Sequence, residues 1–163
     1  MRRSKSELCS GNLELHLVGY GDGGGPLYVP AGGAWESWPE EHLSRRWPDF
    51  QPWEFRSRDL SKVLVLDVRL LDGLQALRGL VGVPIAVNSG YRTVAHNRKI
   101  EGSPYSQHLL GKAADIVISG MSVSRMKTAA TRVPVFERGG IGTYPGQGFI
   151  HVDVRGVKAR WNQ

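Results

Sequence analysis

The sequence predicts an α+β domain in which a small, largely antiparallel sheet is flanked by helices. Short apolar segments with strand character occur at residues 84–88, 113–118 and 149–154. Two segments with helical periodicity accompany them, one at 67–81 before the first strand and one at 122–133 before the last. Short strands set between helices and Gly- or Pro-rich turns are typical of this class, and 163 residues are enough to bury one core.

Residues 1–40 are predicted to form an extension, followed by one domain over residues 41–163. Apolar and polar residues alternate over 13–18, which is a weak strand signal, and the Gly-rich run 21–26 interrupts any regular element. The extension is therefore expected to carry at most one strand, added to the main sheet. Cys9 lies in it and is expected to be a free thiol, because a single cysteine cannot form an intramolecular disulfide.

A cluster of tryptophans and arginines surrounds the start of the predicted domain. Aromatic side chains beside Arg45 and Arg46 could stack on nucleic-acid bases, but packing over the domain edge is the favoured interpretation. The four tryptophans are Trp35, Trp38, Trp47 and Trp53.

The clearest element is the helix over residues 67–81. Its apolar residues recur every three or four positions and so form one stripe. Asp67 lies near its start, where a carboxylate complements the helix dipole, and Gly82 and Pro84 mark its end. The stripe consists of Val68, Leu71, Leu74, Leu77, Leu80 and Val81.

The later elements are shorter. The strand at 84–88 ends in a turn at 89–92, and a loop leads to the strand at 113–118. Ser122 is predicted to cap a second helix, which Pro134 ends. Turn residues around a short extended segment follow, and the segment 149–154 is expected to be the last strand.

The chain is basic, with 21 Lys and Arg against 15 Asp and Glu and a net charge of +6. Such a surface favours an anionic partner, which could be nucleic acid, acidic lipid or an anionic cell-wall polymer. The sequence shows neither a nucleic-acid reader motif nor an apolar run near the ~18–20 residues of a membrane span. We expect a monomer without specific nucleic-acid binding or membrane insertion. No signal peptide is expected, because no apolar stretch follows the basic start.

Two histidines and an aspartate lie in contexts that favour a catalytic metal. His108 follows a turn-rich loop, and Asp115 lies in an apolar run, where a carboxylate is costly to bury unless it is paired or metal-bound. His151 and Asp153 alternate with apolar residues, so both point to one face of a strand. Two histidines and a carboxylate are typical of catalytic zinc, whereas structural zinc takes four protein ligands. We therefore predict one Zn²⁺ ion in a cleft on the sheet.

Each of these residues also has an ordinary interpretation. A single histidine is more often a hydrogen-bonded residue than a ligand, and Asp115 alone could cap a helix or pair with Lys112 or Arg132. The joint occurrence of the three favours the metal site. Three other histidines lack supporting context: His16, His42 and His96.

The string Ser-x-His-x-x-Gly-x-Ala-x-Asp at residues 106–115 resembles the M15 family of zinc peptidases. The string Asn-Ser-Gly-Tyr-Arg-Thr at 88–93, the His-x-Asp at 151–153 and the segment 53–56 match as well, so the resemblance covers about residues 40–163. The family comprises D-Ala-D-Ala carboxypeptidases and related peptidoglycan endopeptidases, including phage endolysins. The resemblance implies zinc-dependent hydrolysis of an amide bond in peptidoglycan stem peptides, by water activated at the metal. With no signal peptide, release during phage lysis or non-classical export is expected.

The resemblance also implies a role for each site residue. His108, Asp115 and His151 are the metal ligands. Arg92 matches the family arginine at the edge of the site and is a candidate to bind a substrate carboxylate or stabilise an oxyanion. Ser106 matches a position beside the substrate. Tyr144 is a further candidate for substrate binding.

The general base is where this chain departs from part of the family. Some members carry Glu or Asp three residues before the last zinc histidine, and others carry His two before it. Here these positions are Gly148 and Phe149, which cannot move a proton. Asp153 is then the best candidate for the base, although it could instead orient a ligand, and Glu137 or Tyr144 are rivals. Without a base, the alternative is an inactive zinc module that binds cell wall or protein.

Overall fold

The computed structural model of the protein describes residues 26–30, 46–59, 61 and 63–163. The weak strand signal at 13–18 lies outside these ranges, as do Cys9, His16, His42, Trp35 and Trp38. Within the described ranges the fold is α+β, as predicted, with a mixed sheet and short helices.

The elements follow one another in this order along the chain. The strands are β1 (Pro26–Pro30), β2 (Val63–Asp67), β3 (Ile85–Ser89), β4 (Ala113–Ile118), β5 (Gly140–Tyr144), β6 (Phe149–Asp153) and β7 (Ala159–Asn162). The α-helices are α1 (Val68–Val81), α2 (Val94–Lys99), α3 (Val123–Ala130) and α4 (Pro134–Glu137). Two 3₁₀ helices cover Pro52–Phe55 and Gln107–Leu110.

In the described part of the chain, five strands form the main sheet in the order β3-β4-β6-β5-β7. The pairs β3/β4, β4/β6 and β6/β5 are antiparallel, while β5 and β7 are parallel. The sheet is thus largely antiparallel, with one parallel pair at its edge. β1 pairs with β2 in a separate ribbon, so this strand of the predicted extension does not join the main sheet.

The helix α1 (Val68–Val81) confirms the helix predicted over residues 67–81. Oδ1 of Asp67 accepts a hydrogen bond from the backbone N–H of Arg69 at 3.0 Å, which caps the first turn. Gly82 closes the helix in the left-handed conformation with φ of 70°. Leu74 and Leu77, both on the predicted stripe, are 0% exposed.

Two boundaries differ from the prediction. Ser122 caps α3 as expected, but this helix ends at Ala130, and Pro134 begins α4 rather than ending α3. A proline fits the first turn of a helix because no intrahelical partner is needed there for its missing N–H. The strand at 149–154 is also not the last one, because β7 follows it. β7 has only four residues, which is too short for its alternation to be a clear strand signal, so its pairing with β5 defines it.

The main sheet has one apolar face and one polar face. Alternation along β4, β5 and β6 directs Ile116, Ile141 and Ile150, all 0% exposed, to the first face. The helices cover this side, since α3 contacts β5 and β6 while α1 contacts α3 and α4. The hydrophobic core therefore lies between helices and sheet, and Asp115, His151 and Asp153 share the opposite face.

The segment before the first 3₁₀ helix packs on α1. Nε1 of Trp47 donates to Oδ1 of Asp72 at 2.8 Å, and Arg46 pairs with the same carboxylate while lying 4.9 Å from the indole centroid. These contacts agree with the interpretation that this part of the aromatic cluster packs on the domain. Trp53 is 57% exposed. None of the helices described is long and apolar enough to cross a bilayer.

Candidate metal centre

One row of residues crosses the polar face of the sheet from edge to edge. Ser89 pairs with Asp115, Asp115 with His151, and His151 with Gly142. Gly142 in turn pairs with Trp161 of β7. Directly paired residues on one face have Cβ atoms about 4.5–5.5 Å apart, so register alone brings Asp115 and His151 into contact.

The side chains of His108, Asp115 and His151 converge in a small triangle of ligand atoms. Nε2 of His108 lies 3.2 Å from Oδ1 of Asp115 and 3.2 Å from Nδ1 of His151. The third side, between Nδ1 of His151 and Oδ1 of Asp115, is 3.0 Å. Ligand atoms about 2.0–2.1 Å from a tetrahedral zinc lie about 3.3 Å apart, so the triangle fits a zinc ion with one further position. The structure thus brings the three predicted ligands together, and this buried group could hold one metal ion.

His108 is oriented by the backbone. It is 2% exposed, and its Nδ1 donates to the carbonyl oxygen of Gly90 at 2.5 Å. A neutral imidazole carries one N–H, so this bond leaves the lone pair of Nε2 for a metal. The 3₁₀ helix that carries His108 is capped by Ser106 and closed by Gly111, whose φ is 64°. Burial lowers the pKa of His108, which favours the neutral form that metals bind.

Asp115 divides its oxygens between the histidines and a guanidinium. Oδ1 faces both histidines, while Oδ2 accepts from Nη2 of Arg92 at 2.5 Å. Nε of Arg92 donates to Oγ of Ser89 at 3.0 Å, which orients the guanidinium. Burial alone would raise the pKa of Asp115, but hydrogen bonds with His108 and His151 outweigh it and hold the pKa below its ordinary value. The carboxyl group is therefore charged at neutral pH.

His151 is oriented by a carboxylate. Its Nε2 donates to Oδ2 of Asp153 at 3.0 Å, which directs Nδ1 towards the triangle. Asp153 is 0% exposed, and it accepts from Nη2 of Arg155 at 2.6 Å and from the N–H of Gly140 at 2.9 Å. Burial alone would lower the pKa of His151, but hydrogen bonds with Asp115 and Asp153 outweigh it and raise the pKa. A raised pKa means that a metal and a proton compete for Nδ1.

These contacts argue against Asp153 as general base and favour its alternative role of orienting a ligand. Oδ1 accepts from two backbone N–H groups, of Gly140 and Arg155, and Oδ2 accepts from His151 and from the Arg155 guanidinium. Burial alone would raise the pKa of Asp153, but the bonds from His151 and Arg155 outweigh it and lower the pKa. A carboxylate with a lowered pKa accepts a proton poorly. It also contacts Nε2, the nitrogen that points away from the triangle.

The other candidate residues have structural partners of their own. Oγ of Ser106 accepts from the backbone N–H two residues on, at 3.4 Å. Oη of Tyr144 accepts from Nε1 of Trp161 at 3.0 Å. Glu137, a rival for the base, forms a surface ion pair with Lys158. Substrate contacts stay predictions for three residues: Arg92, Ser106 and Tyr144.

Sequence reasoning misses four residues that support the centre. Gly90 lies inside a motif, but its contribution is a backbone carbonyl, which no residue type reveals. Arg155 follows Asp153 by two positions, a spacing that could have suggested the pair. Gly142 and Trp161 are brought to His151 by strand pairing alone, and the sequence carries no local signal for that contact.

Comparison with known proteins places most of this domain in one family. A family model described as Peptidase M15 matches residues 48–153. The peptidoglycan L,D-endopeptidase MepK of Escherichia coli strain K12 is 32% identical over 114 residues, which are 66% of this chain and 60% of the relative. The zinc D-Ala-D-Ala carboxypeptidase of Streptomyces albus G is 36% identical over 89 residues, which are 54% of this chain and 34% of the relative.

A third relative has the same L,D-endopeptidase name as the first. The probable peptidoglycan L,D-endopeptidase MepK of Haemophilus influenzae is 32% identical over 111 residues, 63% of this chain and 58% of the relative. The chain thus spans less than two thirds of the length of these curated relatives. The family match, a relative named for zinc and the buried His-Asp-His group together confirm the predicted cofactor, one zinc ion.

Proposed function

The chain belongs to the peptidase M15 family, and from that membership we propose that it hydrolyses an amide bond in the peptides of bacterial peptidoglycan. The observation that carries the proposal is the buried triangle of two imidazole nitrogens and one carboxylate oxygen. The substrate class is supported by relatives whose names refer to peptidoglycan or to D-Ala-D-Ala. The family match also lies inside the domain that we propose for residues 41–163.

We propose His108, Asp115 and His151 as the zinc ligands. A zinc ion there would act as a Lewis acid, lowering the pKa of water and polarising an amide carbonyl. Arg92 would hold Oδ2 of Asp115 so that Oδ1 faces the metal. Among the described residues, Ser89 and Asp115 take two of the five N–H donors of its guanidinium, and the others could serve a substrate carboxylate or oxyanion.

Asp153 would orient His151 rather than accept the proton of the nucleophile. Its two oxygens already bind His151, Arg155 and the backbone of Gly140. The proton acceptor then has to be another group, and Tyr144 and Glu137 keep their place as candidates. Tyr144 is joined to the site through Trp161, whereas Glu137 pairs with a surface lysine.

For the type of cleavage, we propose an endopeptidase. The two L,D-endopeptidase relatives match 66% and 63% of this chain, against 54% for the carboxypeptidase. The finer proposal of a bacteriolytic, endolysin-like role is tested separately, by a fall in turbidity when the protein is added to permeabilised cells.

A second candidate function is an inactive zinc module that binds wall peptides. It is favoured by one observation, namely that Gly148 and Phe149 stand where other family members carry a base. This candidate predicts zinc binding and retention on purified wall without any new peptide ends.

The deciding experiment is mass spectrometry of purified peptidoglycan after incubation with the zinc-loaded protein. We expect cleaved crosslinks that vanish after chelation and in a His108→Ala variant. His96→Ala is the matched control, because this histidine lies in α2 and is not part of the ligand group. Shortened stems without cleaved crosslinks would mean carboxypeptidase action. Bound zinc without product from several wall types would leave the inactive module.

A further inference from the structure

The last strand, β7, places an indole against one of the proposed zinc ligands. The ring centroids of Trp161 and His151 are 5.1 Å apart, with an interplanar angle of 50°. Centroid distances of about 4.5–7 Å are typical of interacting aromatic pairs. The contact reaches across β5, because Trp161 pairs with Gly142 and Gly142 pairs with His151.

Gly142 allows this contact because it has no side chain. A Cβ at this position would lie 2.6 Å from Cζ2 of Trp161, well inside van der Waals contact. Any other residue would therefore displace the indole from its place. Gly142 is not among the glycines with positive φ, so close approach rather than turn geometry explains a glycine here.

Two further groups hold the indole in place. Its Nε1 donates to Oη of Tyr144 at 3.0 Å, and the guanidinium of Arg155 lies 5.5 Å from its ring centroid. The same guanidinium binds Asp153, which accepts from Nε2 of His151. The imidazole thus has a hydrogen bond at its edge and a ring contact beside it, and Arg155 joins the two supports.

We propose that Trp161 is a positioning residue that fixes the plane of the His151 ring, so that Nδ1 stays directed at the metal. The hydrogen bond that Nε2 of His151 donates to Asp153 restrains one edge of the ring, and the indole beside the ring restrains its tilt. A ligand whose orientation is set before binding loses less conformational entropy when the metal binds. The inference rests on the proposed metal site but not on the proposed substrate.

The test is a titration of the metal-free protein with Zn²⁺ in competition with a chromophoric chelator. Trp161→Ala is expected to weaken Zn²⁺ binding by about tenfold or more, as for other groups that orient a metal ligand. Trp161→Phe keeps an aromatic ring and is expected to recover most of the affinity. Gly142→Ala should weaken binding as well, because its methyl group displaces the indole. Replacing Zn²⁺ by Co²⁺ adds a spectroscopic signature, since its absorption spectrum reports the ligand geometry.

A matched control separates positioning from the general stability of β7. Oδ1 of Asn162 accepts from Oγ1 of Thr143 at 2.7 Å, so Asn162→Ala removes a contact of the same strand away from His151. Unchanged Zn²⁺ affinity in Trp161→Ala, equal losses in Trp161→Ala and Asn162→Ala, or a Phe variant as weak as the Ala variant would each overturn the proposal. A parent protein that binds Zn²⁺ without cleaving peptidoglycan would refute only the proposed activity. A parent that binds no Zn²⁺ would refute both.

Discussion

The two histidines of the metal centre are held in different ways. His108 lies in a 3₁₀ helix, and its ring is oriented by the backbone carbonyl of Gly90. His151 lies in the middle of the sheet, and its ring is oriented by the side chains of Asp153 and Trp161. The first arrangement depends on how closely two loops approach each other, and the second depends on which side chains the neighbouring strands supply.

This difference predicts that the surroundings of the two histidines respond to different kinds of substitution. We call them the His108 corner, which includes Gly90, and the His151 corner, which includes Asp153 and Trp161. In the described part of the chain, the partner of Nδ1 of His108 is a backbone carbonyl, which a substitution cannot remove. The surroundings of His108 should therefore be sensitive to added volume. The His151 corner contains a buried charge and an aromatic ring, so it should be sensitive to their loss. Four substitution experiments test this contrast, and their expected effects decrease in the order given.

Removal of either ligand should have the largest effect, and here the two corners should behave alike. His108→Ala or His151→Ala is expected to lower Zn²⁺ affinity by at least about 100-fold, beyond the usual loss for a group that only orients a ligand. Competition with a chelator measures this, and cleavage of peptidoglycan should fall with it. A variant of either residue that retains tight zinc would remove that residue from the ligand set.

Asp153→Asn should show the strongest difference between the corners. The amide keeps the shape of the carboxylate but removes the charge that faces His151 and Arg155. We expect Zn²⁺ affinity to fall on the order of 10–100-fold, while the contact between His108 and Gly90 is unaffected. If peptidoglycan cleavage were lost although zinc stayed fully bound, the role of Asp153 as general base would be restored.

Gly90→Ala should disturb the His108 corner, because it adds a methyl group there. The new Cβ would lie 2.6 Å from Cα and 2.7 Å from the carbonyl oxygen of Phe55, and backbone atoms cannot move aside cheaply. We expect a loss of about 1–3 kcal/mol in unfolding free energy, with weaker zinc binding because the Gly90 carbonyl shifts. Urea unfolding of the metal-free protein measures the first effect. An unchanged free energy of unfolding would show that the turn at Gly90 can move away from Phe55.

Arg155→Lys should have the smallest effect. A lysine keeps the positive charge beside Asp153, but it lacks the planar fork that binds both oxygens and lies over Trp161. Zn²⁺ affinity is expected to fall by less than about tenfold, below the loss for Asp153→Asn. Arg138→Lys, on an exposed residue, serves as the matched control. A loss larger than that of Asp153→Asn would mean that Arg155 supports the centre by a route other than this carboxylate.

The difference between the two histidines also explains which parts of the metal centre can be predicted from the sequence. His151 and Asp153 share a face because side chains alternate in a strand, and this is visible within three residues. His108 and Asp115 are visible through their spacing and their context. The sequence does not predict the support from Gly90, Gly142 and Trp161, because this support depends on pairing between distant segments and on the absence of side chains.

The α+β class can be predicted from the amino-acid sequence alone, as can the helix from its Asp67 cap to Gly82, the strand at 113–118 and the three candidate metal ligands. These features follow from local periodicity, capping and spacing. Three features needed the folded chain: β7 runs parallel to β5, Pro134 begins a helix, and Asp153 faces an imidazole and a guanidinium rather than the metal position. The reason is physical: the environment of a side chain, including its pKa and its hydrogen-bond partners, is set by strands and loops that are distant along the chain.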